Sequence, residues 1–140
     1  MKNEVVKMWL RRARSNLARA QLGRQTEVIL LEDLCFDAQQ AAEKALKGLL
    51  IHLGIKKAPR SHSIGYLLHM LEKREGLKIP KEVRDAVGLS GFAVATRYPG
   101  NWEPVDDDEY HQAVKQAEIV VKWVEEKISQ PGKGIDAAGK

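Results

Sequence analysis

Between residues 32 and 53 the chain has almost no polar side. Leu34, Ala38, Ala41, Ala42, Ala45, Leu46, Leu49, Leu50 and Leu53 fall at helical spacing and spread around most of the circumference. A helix that is apolar nearly all round must be covered on most of its surface, which places it at the centre of a bundle. Everything else in the sequence has to supply that cover.

Four further segments read as helices, and none reads as a strand. Val6, Leu10, Ala13, Leu17 and Ala20 make one face of a helix over about 4–23, with Gly23 as its stop. After Gly54, a loop through Pro59 leads to Ser61 or Ser63, either of which can cap a short third helix. Ile64, Leu67, Leu68 and Leu71 face inward there, and Gly76 ends it. Pro80 suits the first turn of a fourth helix over about 80–95, carrying Val83, Ala86, Val87 and Phe92. Gly88 and Gly91 within it permit either close helix approach or a kink. A fifth helix runs from about Asp106 to Ser129, where Asp106 and Glu109 form a capping box. Tyr110, Ala113, Ala117, Val120, Val121, Val124 and Ile128 are its buried stripe. The fold expected is all-α, a single up-and-down bundle of about five helices over residues 1–130, followed by a disordered Gly- and Ala-rich tail over 131–140.

Composition narrows the function classes. At 140 residues, with 44% hydrophobic and 30% charged, the chain can bury a core without disulfides or metals. No apolar run approaches the roughly 20 residues that span a bilayer, and no secretory-type segment follows the start. The single cysteine, Cys35, sits in an apolar run and reads as a small buried hydrophobe. These features point to a cytoplasmic protein. The net charge is +4, yet residues 1–30 alone hold seven Lys and Arg against Glu4 and Glu27. That basic first helix either attracts phosphates or an acidic partner, or is a solvated face.

Phosphate-binding glycine loops, dinucleotide fingerprints, zinc helices and paired-cysteine motifs are missing. His52, His62, His69 and His111 lack ligand spacing, so neither a metal nor a cofactor is expected. Three features carry chemistry. Asp37, Gln40, Glu43, Lys44 and Lys47 form a polar stripe along the greasy central helix. They either line a groove or pair with one another, Asp37 with Gln40 and Glu43 with Lys47. Pro59-Arg60-Ser61-His62-Ser63 puts a guanidinium, an imidazole and hydroxyls at a helix start, as an anion site or simply as a cap. Arg97-Tyr98, in a loop interrupted by Pro99, Gly100 and Pro104, suits phosphate gripping and base stacking. The alternative there is an ion pair of Arg97 with the acidic start of the last helix and a Tyr98 packed in the core.

Taken together, Asp37-Ala38-Gln39-Gln40-Ala41-Ala42-Glu43-Lys44-Ala45-Leu46-Lys47, then Pro59-Arg60-Ser61-His62-Ser63, then Arg97-Tyr98-Pro99 resemble a prokaryotic HEPN domain over roughly residues 5–128. The resemblance implies a helical bundle that commonly dimerises. Many members pair with a minimal nucleotidyltransferase encoded beside them, often in toxin–antitoxin-like systems. Some are metal-independent ribonucleases that use an arginine and, four to six residues later, a histidine; others bind nucleotides. Arg97 takes the arginine's place, but residues 102–104 are Trp, Glu and Pro, and the next histidine, His111, is 14 positions on. The usual proton-transfer group is therefore missing. His62 replaces it only if its loop approaches Arg97.

The resulting expectation is a non-catalytic homodimer that binds a nucleotide, RNA or a nucleotidyltransferase partner. Arg60, His62, Arg97 and Tyr98 would make the contacts, and Gln40, Lys44 and Lys47 would line the groove. A metal-independent endoribonuclease toxin using Arg97 and His62 is one alternative. A structural interaction module anchored by Trp9, Trp102 and Trp123 is the other.

Overall fold

A computed structural model describes residues 2–92 and 104–130. The order is α1 (Lys2–Gln21), α2 (Leu31–His52), α3 (Ile64–Lys73), α4 (Lys81–Arg84), a 3₁₀ segment (Asp85–Phe92) and α5 (Asp107–Ser129), with no strand among the described residues. This is the expected all-α bundle of five helices.

The apolar circumference of α2 decides the arrangement. Helices α1 and α5 pack along it, while α3 and the 3₁₀ segment close the remaining side. Leu46, Leu49 and Leu50 are fully enclosed at the centre. Truncating any of them to alanine should cost about 2–5 kcal/mol. Gly48 permits the α1 crossing: a Cβ there would meet the Trp9 Cβ at 3.2 Å. The outer helices are tied to each other by Gln21 Nε2 donating to Glu118 at 2.7 Å, by an Arg14–Glu125 ion pair, and by the Tyr110 hydroxyl donating to the Ala20 carbonyl.

Helix ends follow local chemistry. The Gly54 amide reaches the Ile51 carbonyl and the Ile55 amide the Leu50 carbonyl, closing α2 through a glycine at φ +119°. Ser63 caps α3 by accepting from the Tyr66 amide at 3.1 Å, and Asp106 caps α5 by accepting from the Glu109 amide at 2.8 Å.

One element differs from expectation. Of the helix expected over 80–95, the described residues 81–92 form one α-turn and then 3₁₀ winding. Val83, Ala86 and Leu89 are the buried positions. Their spacing of three stacks them on one face of a 3₁₀ helix, whereas 3.6-residue winding would spread them. Val87, the other valine of this segment, is exposed. Arg97, Tyr98, Trp102 and the tail over 131–140 lie outside the described residues.

Candidate ligand-binding groove

The polar stripe of α2 is buried more deeply than a solvated stripe would be. Asp37 is 4%, Glu43 3% and Lys47 5% exposed, and Gln39 is fully enclosed. Ionised groups tolerate such burial only when paired and hydrogen-bonded. The pairing runs along the helix and outward in both directions.

Towards α1, the bridge is Asn16. Its Nδ2 donates to Asp37 Oδ1 at 2.9 Å, and its Oδ1 accepts from Lys44 Nζ at 2.8 Å. Arg19 adds a charge 3.4 Å from Asp37 Oδ2. Burial, followed by the Arg12 cation, holds the Lys44 ammonium below its ordinary pKa, despite the nearby Glu43 and Asp37 carboxylates.

Towards the loop before α3, the hub is Glu43. Lys47 Nζ donates to its Oε2 at 2.7 Å and Gln39 Nε2 to its Oε1 at 2.9 Å. His62 Nδ1 lies 3.1 Å from Oε2. Gln39 Nε2 also reaches the His62 carbonyl at 3.3 Å, and Gln40 Nε2 donates to Gln39 Oε1 at 2.8 Å. Burial on its own raises the Glu43 pKa; Lys47, Gln39 and His62 outweigh it and hold the carboxyl below its ordinary value. Trp9 shields the pair, with the Lys47 ammonium 5.8 Å from its ring centroid.

The arrangement is a fixed polar floor between α1 and the Pro59–Ser63 loop. Gln40 and Lys44 are its half-buried, accessible members, and Lys47 faces Glu43. The His62 side chain is 61% exposed although one ring nitrogen is tethered to Glu43. Arg60 is exposed, with no ion pair among the described residues. Thus Gln40, Lys47 and His62 belong to the Glu43 network and Lys44 to the Asn16–Asp37 network, Arg60 stands on the His62 loop, and Arg97 and Tyr98 fall outside the described residues. Of the two pairings considered for the stripe, Glu43 with Lys47 is present, whereas Asp37 bonds Asn16 and Arg19 and not Gln40. Asn16, Gln39 and Arg19 were not singled out by the sequence. The one available signal was Asn16 itself, a polar residue three positions beyond Ala13 on the buried side of α1. No group of three or more His, Cys, Asp or Glu able to hold a metal ion occurs among the described residues.

The HEPN domain model matches residues 6–127, nearly the whole described bundle. The chain belongs to the HEPN family. Two solved structures are similar to this HEPN chain. TT1696 from Thermus thermophilus is 34% identical, covering 87% of this chain and 97% of that one, with a TM-score of 0.69. ST0689, described as an archaeal HEPN homologue, is 28% identical over 89% of this chain and 98% of that one, also at 0.69. No curated protein matches the chain. Among the described residues no helix of this HEPN protein is long and apolar enough to cross a membrane.

Proposed function

We propose that this HEPN protein is a non-catalytic homodimer that offers the α2 groove to a nucleotide or RNA, and works with a minimal nucleotidyltransferase in a toxin–antitoxin-like pair. Family membership supports the nucleotide-related or partner-binding part of this reading. The observation that carries it is a pair of hydrogen-bond chains on α2, one from Lys44 through Asn16 to Asp37 and the other from Gln40 through Gln39 and Glu43 to His62. A stripe that only solvates a helix needs no such partners. Side chains held in one geometry beneath an accessible surface are preorganised for a ligand. Gln40, Lys44, Arg60 and His62 are the contact residues, Lys47 positions Glu43, and Arg97 and Tyr98 are further contacts in this reading.

Tagged capture from the native cells after nuclease treatment tests the pairing, with mass spectrometry of what co-purifies. A stoichiometric nucleotidyltransferase-like protein is expected. Recovery of the chain alone overturns the pairing. Light scattering at micromolar concentration tests the dimer: twice 15.7 kDa is expected, and a single-chain mass contradicts it.

The endoribonuclease reading retains one supporting feature. A carboxylate fixes His62 through Nδ1, leaving Nε2 for proton transfer, the orientation used by general-base histidines. That reading requires RNA cleavage in EDTA which His62→Ala and Arg97→Ala each abolish; activity surviving both changes rules it out.

A further inference from the structure

Hydrogen-bond chemistry fixes the direction of the Gln40 amide. The Glu43 carboxylate and the His62 carbonyl can only accept. Gln39, fully enclosed, faces both, at 2.9 and 3.3 Å, and so must turn its Nε2 towards them. Its Oε1 is thereby presented to Gln40, which must answer with its own Nε2 at 2.8 Å; that nitrogen also lies 3.4 Å from Glu43 Oε1. Both hydrogens of the Gln40 amide are spent inward. Gln40 Oε1 is left on a half-buried side chain as an acceptor to which no group donates among the described residues.

His62 is set by the same carboxylate. Its Nδ1 lies 3.2 Å from the Glu43 Oε1 that Gln40 also meets, and 3.1 Å from Oε2. Facing a carboxylate, Nδ1 carries the proton of the neutral ring, and Nε2 is then an acceptor on a side chain that is 61% exposed. On the α1 side Lys44 has the opposite character. Asn16 Oδ1 takes one of its three ammonium hydrogens at 2.8 Å, which leaves donors for a ligand. From α1 to the Pro59–Ser63 loop the floor therefore presents a donor, an acceptor and an acceptor: Lys44 Nζ, Gln40 Oε1 and His62 Nε2. Lys44 stands one helical turn from Gln40, and Gln40 and His62 share one carboxylate oxygen. One turn before Gln40, on the same face of α2, is Phe36, 41% exposed.

We propose that this row reads the Watson–Crick edge of a guanine base, whose O6 accepts and whose N1 and N2 donate, with Phe36 as the aromatic face on which the base lies. The proposal rests on the groove reading above and names the base. Adenine, cytosine and uracil each set like against like at one position of the row or more. The bidentate grip of a glutamine on adenine needs the amide nitrogen, which Gln40 has already committed to Gln39 and Glu43. Stacking on an aromatic ring is tolerant of the base, so selectivity falls to the polar row.

The test is equilibrium binding of the four nucleoside 5′-monophosphates to the full-length protein, at mildly alkaline pH to favour the neutral imidazole. GMP should bind at least about tenfold more tightly than AMP or CMP, because mismatched polar groups are left unpaired. Inosine monophosphate, which lacks only the N2 amino group, should bind more weakly than GMP, and His62→Ala should erase that difference. Phe36→Ala should weaken all four nucleotides alike and keep their ratios. Each ratio is read within one variant, so a general loss of structure moves both nucleotides together. Short uridine RNAs with and without one guanosine separate the two sources of the base. Guanosine-dependent RNA binding without GMP binding assigns the row to RNA, and the reverse assigns it to a free nucleotide.

A GMP-to-AMP ratio near one, a preference for another base, or a GMP-to-inosine ratio that survives His62→Ala overturns the guanine row while leaving the groove reading intact. A protein that binds no nucleotide and no RNA overturns both.

Discussion

Asp37 and Glu43 stand on the same helix at almost equal burial, 4% and 3%, and the protein compensates them in different ways. Asp37 draws its partners from another helix: the buried Asn16 amide and an Arg19 side chain that is itself 67% exposed. Glu43 draws three partners from its own helix, Lys47 one turn on and Gln39 and Gln40 one turn back, and a fourth from the His62 loop. The Asp37 end therefore fastens α1 to α2 through a neutral bridge. The Glu43 end is a dry ion pair that fixes the loop bearing His62 and Arg60. A buried pair of that kind adds little net stability over apolar residues, but losing one partner strands the other.

Lys47→Met should have the largest effect. It leaves Glu43 with no buried cation, and urea unfolding should show a loss of about 3–5 kcal/mol. Replacing both residues, Glu43→Leu with Lys47→Met, should recover most of it. Asn16→Ala should cost less, about 1–3 kcal/mol in the same measurement, because Arg19 still supports Asp37. An Asn16 variant less stable than Lys47→Met would reverse the contrast between the two ends.

The third prediction concerns pH. A carboxyl whose folded pKa lies below its ordinary 4.5 adds stability above that pH and loses it as pH falls through the folded value. The stability gap between the wild type and Glu43→Gln should therefore narrow below pH 4.5, as followed by thermal melts across acidic buffers. A gap independent of pH would remove Glu43 from the network. Arg19→Ala should be the smallest effect, below about 1 kcal/mol in urea, because the guanidinium is largely solvated.

Much of the fold was legible because its signals are local. The all-round apolarity of α2, the Ser63 and Asp106 caps and the glycine stops at Gly23, Gly54 and Gly76 are each written within a turn or two of chain. Over 81–92 local periodicity misleads, because a buried spacing of three at Val83, Ala86 and Leu89 resembles a weak α-helical stripe. At the site, the Glu43–Lys47 pair could be read from its spacing of four. The partners of Asp37 could not. Asn16 and Arg19 are distant in sequence, and on its own Asn16 looks like an interruption in a buried face. Periodicity places a residue on a face but does not name the side chain opposite. For the same reason the outward acceptor of Gln40 emerged only once Gln39 had found Glu43 and the His62 carbonyl.

The central claim is that the polar floor of α2 exists to hold a ligand as well as to hold the bundle. Equilibrium binding of a nucleoside triphosphate and of single-stranded RNA, measured at fixed salt for the wild type and for a Gln40→Ala/Lys44→Met/His62→Ala variant, tests it most directly. The account predicts that the wild type binds at least one of them and that the variant loses about tenfold or more in affinity while still unfolding in a single cooperative transition. A wild type that binds neither, or a variant that binds as tightly, would contradict it and leave the network a purely structural one.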